Sequence, residues 1–156
     1  MSQPSAAVSS PYPRAAALFR EGSAGLSVPD LDLPVPSCPG WTVSDVVAHV
    51  GDAHEAGLAD AGVTDSPADL LLAWEQHLLA HPCTEVLALD LALHAWDLGL
   101  ALERPVVLDE PLLDFLETFA MEAGDRLRAD GAFAPVDPPA GADRATRVLA
   151  AYGRVV

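Results

Sequence analysis

The stretch Asp90-Leu91-Ala92-Leu93-His94-Ala95-Trp96-Asp97 lies within a run, Val86 to Leu100, that is otherwise apolar. A helix of this composition is apolar nearly all round and belongs in the interior of a packed structure. Its polar members Asp90, His94 and Asp97 recur at i, i+4 and i+7, so on a helix they share one face. The segment therefore sets two expectations: other helices enclose it, and its polar face has a purpose.

The flanking sequence supplies the helices. Alternating β-branched segments of useful length are absent, Ala and Leu dominate, and many prolines and glycines fall at breaks between helical runs. The first helix runs from about Arg14 to before Gly25. Ser27 to Gly40 holds Pro29, Pro34, Pro36 and Pro39 and reads as a largely extended loop. Thr42 caps a second helix, with Asp45 three residues on in a capping-box arrangement, and this helix reaches about Asp60. Gly51 and Gly57 weaken its later turns. A third helix begins at Ser66-Pro67 and runs to about Ala80. The central helix extends from about Thr84, a candidate cap, to about Leu102. A fifth starts at Asp109 and ends near Arg128, where Arg126 and Arg128 suit its C-terminal end. A short terminal helix spans about Ala142 to Tyr152. The expected fold is all-α: an up-down four-helix bundle with an additional short helix and a C-terminal tail helix, one domain over residues 1–156, with 1–12 loosely ordered.

Composition narrows the function. A chain of 156 residues buries roughly 70% of the surface its unfolded form exposes. With 51% apolar residues, it needs no metal or disulfide merely to fold. All eight basic residues are arginine, against 23 acidic ones, and the net charge of −15 argues against nucleic acid and anionic membrane surfaces as partners. Met1 to Pro13 lacks the pattern of a signal peptide, and no uncharged apolar run is long enough to span a membrane. Cys38 and Cys83 read as free thiols, and the cytoplasm is the expected location. The sequence leaves open a homodimer. It shows neither a Gly-rich phosphate loop nor a GxSxG elbow.

Asp90 and His94, one turn apart, are suited to be half of a metal site, because divalent metals of the zinc and nickel kind accept carboxylate and imidazole ligands. The other half must come from another helix, and His49 in Val46-Val47-Ala48-His49-Val50 is the best candidate. A narrow polar stripe can equally be the solvent edge of a helix. Asp97 is either a partner that orients His94 or a surface carboxylate. His54, His77 and His81 read as less buried and as poor ligands. Trp41 and Trp96 read as core packing. Cys38 has no basic residue near it in sequence and reads as an unreactive thiol.

The segment Pro34 to His49, with Cys38-Pro39-Gly40-Trp41 ahead of His49, resembles the opening motif of the mycothiol-dependent maleylpyruvate isomerase-like proteins. These are an actinobacterial branch of the DinB-like metal-binding four-helix bundles. Asp90 to Leu98 resembles that family's Glu-x-x-x-His-x-Trp-Asp-Leu. The tail also resembles the family's ending: Phe133-Ala134-Pro135-Val136, then Asp143-Arg144, then Ala151-Tyr152-Gly153-Arg154. The resemblance implies a divalent metal on His49, Asp90 and His94, with zinc first and nickel or iron as alternatives. It also implies mycothiol as a thiol cofactor and a small electrophilic substrate for isomerisation or thiol transfer. Two departures stand out. Asp90 replaces the usual glutamate, which shortens the reach by roughly 1.3–1.5 Å. Only 40 residues separate His49 from Asp90, fewer than is usual in the family, which leaves the site mouth more open. The competing reading is a non-catalytic bundle, binding a small molecule or regulating a partner, whose metal site has weakened or gone.

Overall fold

A computed structural model describes residues 9–63, 67–129 and 134–155. Ser66, Phe133 and the Arg128 side chain, which the sequence reading invoked, lie outside the described parts. The described residues form seven helices: α1 Tyr12–Gly22, α2 Val28–Leu31, α3 Val43–Asp60, α4 Leu70–His77, α5 Thr84–Ala101, α6 Glu110–Ala129 and α7 Arg144–Ala151. Their only strand-like pairing is an isolated antiparallel bridge between Pro34 and Thr42.

Helix α5 is the centre of an all-helical bundle. It packs chiefly on α1 and α3, α4 lies on α3, and α7 on α6. Small residues let α1 come close: Ala15, Ala16, Ala88, Ala92 and Ala95 are all fully buried, and a methyl group on Gly22 would lie 3.7 Å from the Ala95 carbonyl oxygen. Leu112, Leu113 and Leu116 of α6 and Leu149 of α7 complete the same apolar core. None of the helices among the described residues is long and apolar enough to cross a membrane.

The caps show which sequence signals prevailed. Thr42 and Asp45 form the expected reciprocal box at the start of α3. The segment read as extended holds a turn of helix instead, because Ser27 and Asp30 make a second capping box and Pro29 sits in the first turn, where proline has no amide to lose. Helix α4 starts later than expected. Asp69 caps it by accepting from the Leu72 amide, and it ends at His77. Thr84 is not a cap. It is buried, accepts from the Trp74 indole at 3.1 Å and donates to the Leu78 carbonyl at 2.7 Å, which ties α4 to the start of α5. Tyr12, assigned from sequence to a loose N-terminus, is fully buried at the start of α1.

Candidate metal centre

The capping box fixes the start of α3, so His49 falls on its second turn facing α5. From α5, Asp90 and His94 face it one turn apart. The three side chains converge: His49 Nε2 lies 3.1 Å and His94 Nε2 3.2 Å from the same oxygen, Asp90 Oδ1. The donor atoms all fall within 4.8 Å of one another. The shortened carboxylate therefore reaches both imidazoles. Exposure is graded across the set, with the His49 side chain 40% exposed, Asp90 18% and His94 10%, so the site opens to solvent on the α3 side.

Burial disfavours charge on Asp90, but the imidazole N–H groups of His49 and His94 outweigh it and hold the carboxyl well below the usual range. Burial likewise works against a charged His94, and its bonds to Asp90 and Asp97 reverse this and raise it to about 11. In this protonated form both His94 nitrogens donate, Nε2 to Asp90 and Nδ1 to Asp97 at 2.9 Å.

Asp97 is fully buried, which removes the reading of it as a surface carboxylate. Besides His94, it accepts from Ser37 Oγ at 2.6 Å and Cys38 Sγ at 3.4 Å. Arg154 grips it with two contacts, Nη2 at 2.8 Å and Nε at 3.2 Å. Against its burial, the His94, Arg154 and Ser37 contacts keep the Asp97 carboxyl strongly depressed.

The donor set suits a divalent metal on two grounds. Two ligands on a tetrahedral zinc with bonds of about 2.1 Å sit about 3.4 Å apart, close to the two separations seen here. In addition, Asp90 Oδ2 is buried with no hydrogen-bond partner among the described residues. An unsatisfied buried acceptor costs about 1–3 kcal/mol, and more when charged, so a cation at this oxygen answers a standing deficit. A second grouping, Cys38 with His94 and Asp97, is also close enough to hold an ion. It is the poorer cage, because Arg154 and Ser37 already occupy both Asp97 oxygens.

The other singled-out residues fall elsewhere. His54, read as less buried, is fully enclosed: its Nδ1–H donates to the Val50 carbonyl and its Nε2 accepts from the Tyr12 hydroxyl, both at 2.8 Å. Burial is the main cause of its lowered pKa, as befits a neutral core histidine. His77 is exposed, and His81 stacks edge-on against Trp74 while accepting from the Cys83 amide. Trp96 packs against the core as expected. Trp41 does not. It is 36% exposed, with its ring centroid 5.2 Å from that of His49 and 6.1 Å from that of His94, roughly parallel to the latter. Sequence reasoning thus missed Trp41 as a wall of the site, and Ser37 and Arg154 as partners of Asp97.

Residues 12–77 match the family model of the mycothiol maleylpyruvate isomerase N-terminal domain. The match spans α1 to α4 and includes Trp41 and His49, and it ends before Asp90 and His94. No curated protein and no solved structure matches the chain.

Proposed function

We propose, on the match of residues 12–77 to the model of the mycothiol maleylpyruvate isomerase N-terminal domain, that the chain is a metal-dependent enzyme that brings a thiol, or failing that a water molecule, onto a small electrophilic substrate. Isomerisation follows if the added thiol is expelled again, and thiol transfer if it is retained. His49, Asp90 and His94 would hold the metal, zinc in the first instance. The observation that carries this reading is the convergence of His49 and His94 on one oxygen of Asp90, whose other oxygen is buried with no partner among the described residues.

A divalent metal at this point would supply Lewis acidity, lowering the pKa of a thiol or water so that it is nucleophilic near neutral pH. Asp97 fixes the His94 ring by accepting from Nδ1–H, which leaves Nε2 turned toward Asp90 and the site. Loading requires His94 to give up its Nε2 proton, so binding releases a proton and weakens in acid. The half-exposed Trp41 ring offers an apolar, planar wall beside the two imidazoles, suited to an unsaturated or flat substrate. His49, the most open of the three, marks the side from which substrate and thiol arrive. The cytoplasm is the proposed setting, where the free thiols Cys38 and Cys83 stay reduced.

One observation favours a second reading. Protons already close the set, since His49 and His94 both donate to Asp90, and a bundle that binds no metal could persist in that state. Thermal melts separate the two. The metal-dependent reading requires zinc to raise the melting temperature, and mycothiol to raise it further only in zinc-loaded protein, by about 2.7 kcal/mol of stability at a hundred times its dissociation constant. No response to zinc rejects the metal, and a zinc response without a mycothiol response rejects the thiol branch.

A further inference from the structure

The structure assigns Arg154 to the candidate metal centre as a positioning residue: through Asp97 it fixes the orientation of the His94 ring, so the C-terminal turn of the chain helps to build a site formed by α3 and α5. The consequence for metal binding rests on the reading above, whereas the control of the His94 ring stands without it.

The argument begins with the turn. Helix α7 ends at Ala151 and Tyr152 caps it. The Gly153 amide bonds to the Ala150 carbonyl at 3.0 Å and the Arg154 amide to the Leu149 carbonyl at 3.0 Å, the paired bonds of a Schellman motif. Gly153 has φ +76°, and a Cβ there would stand 2.7 Å from the Ala134 carbonyl oxygen, so the position needs glycine on both counts. The Tyr152 hydroxyl locks the turn to α6 through the Leu116 carbonyl at 2.6 Å. The chain reverses tightly and sends Arg154 inward, where it is only 6% exposed.

Arginine is rarely this buried without a specific partner. Here its guanidinium contacts both Asp97 oxygens and also donates to the Tyr152 carbonyl at 3.0 Å. Asp97 in turn lies 57 residues away on α5, is fully buried and accepts from His94 Nδ1. The chain Tyr152–Arg154–Asp97–His94 is therefore continuous and buried along its length. The two-point grip restrains rotation of the carboxylate, and the carboxylate restrains the imidazole. Arg154 also balances the charge of Asp97, so the buried carboxylate that holds the imidazole is not left unpaired.

Arg154→Gln, Arg154→Lys and Tyr152→Phe in the full-length protein test the assignment. Tyr152→Phe loosens the same turn without touching Asp97. In metal-free protein, nitrogen-15 NMR of the His94 side chain should show a protected Nδ1–H in wild type and Tyr152→Phe. That signal should be lost in Arg154→Gln and partly restored in Arg154→Lys, which keeps the charge but not the fork. Zinc affinity should fall about 10–100-fold in Arg154→Gln and hold in Tyr152→Phe, with a changed visible spectrum when cobalt(II) replaces zinc in Arg154→Gln. If Arg154→Gln does not fold, Arg154→Lys against Tyr152→Phe decides by the same signals. A wild-type His94 signal in the Arg154 variants, or changes that only follow the loss of melting temperature and appear equally in Tyr152→Phe, overturns the assignment. A wild type that ignores zinc rejects the metal reading alone, and the His94 signal still decides the role of Arg154.

Discussion

Two glycines of α3 should respond oppositely to the same substitution. At Gly51 an added Cβ would meet nothing within 4 Å, so Gly51→Ala should only relieve the conformational freedom that glycine brings to a helix interior, a gain of about 0.5–1 kcal/mol. At Gly57 the added Cβ would stand 2.7 and 2.9 Å from two atoms of the Trp74 ring. That ring cannot simply retreat: Trp74 is fully buried, its indole N–H is bonded to Thr84, and His54 and His81 pack edge-on against it. Overpacking of this kind costs about 1–3 kcal/mol. Set against the same helix gain, Gly57→Ala should come out less stable by up to about 2.5 kcal/mol. At about 2–4 °C per kcal/mol for a chain of this size, melts in the presence of a chelator should move upward for Gly51→Ala and downward for Gly57→Ala. Equal stabilisation of both variants would refute the close approach of α4 to α3, and with it the bracing of the helix that presents His49.

Two further predictions concern the turn after α5 and the pH response. Glu103 occupies a left-handed position, φ 53°, in the turn where the Arg104 amide bonds to the Gly99 carbonyl, so Glu103→Gly should stabilise by about 0.5–1 kcal/mol in urea unfolding. Gly99→Ala in the same turn should destabilise, since its Cβ would lie 2.7 Å from the Arg104 carbonyl oxygen. Metal-free protein should be most stable near the ordinary histidine pKa of 6.5 as far as its two buried histidines decide. His54 resists protonation in the fold, so its contribution is present above 6.5 and is lost as the pH falls below it. His94 has the opposite sign: its raised pKa gives stability that is complete below 6.5 and lost as the pH rises toward about 11. Urea midpoints across pH should show a weaker acid limb when His54 is replaced and a weaker alkaline limb when His94 is replaced.

What was legible in the sequence was local or periodic. The Thr42–Asp45 box and the position of Asp60 delimited α3 correctly, and the apolar run around Asp90 identified the buried α5. The two capped turns that were misread, at Ser27 and Asp69, competed with stronger proline signals nearby. Pairings between distant side chains left no period to read. Asp97 meets Arg154 across 57 residues and Tyr12 meets His54 across 42, and neither partner's neighbourhood in sequence announces the other. That is why His54 read as less buried, and why Arg154 was visible only as part of a closing motif. Asp90 remained ambiguous in sequence because reach depends on the spacing of α3 and α5, which only the packed helices determine.

Metal content tests the central claim most directly. Protein purified without a histidine tag, dialysed against zinc and freed of excess, should carry zinc in an equimolar amount. His49→Ala, Asp90→Ala and His94→Ala should each lose it while remaining helical by circular dichroism. A wild-type protein that retains no zinc or nickel and gains no stability from either, or variants that keep the full amount, would contradict the assignment of these three residues.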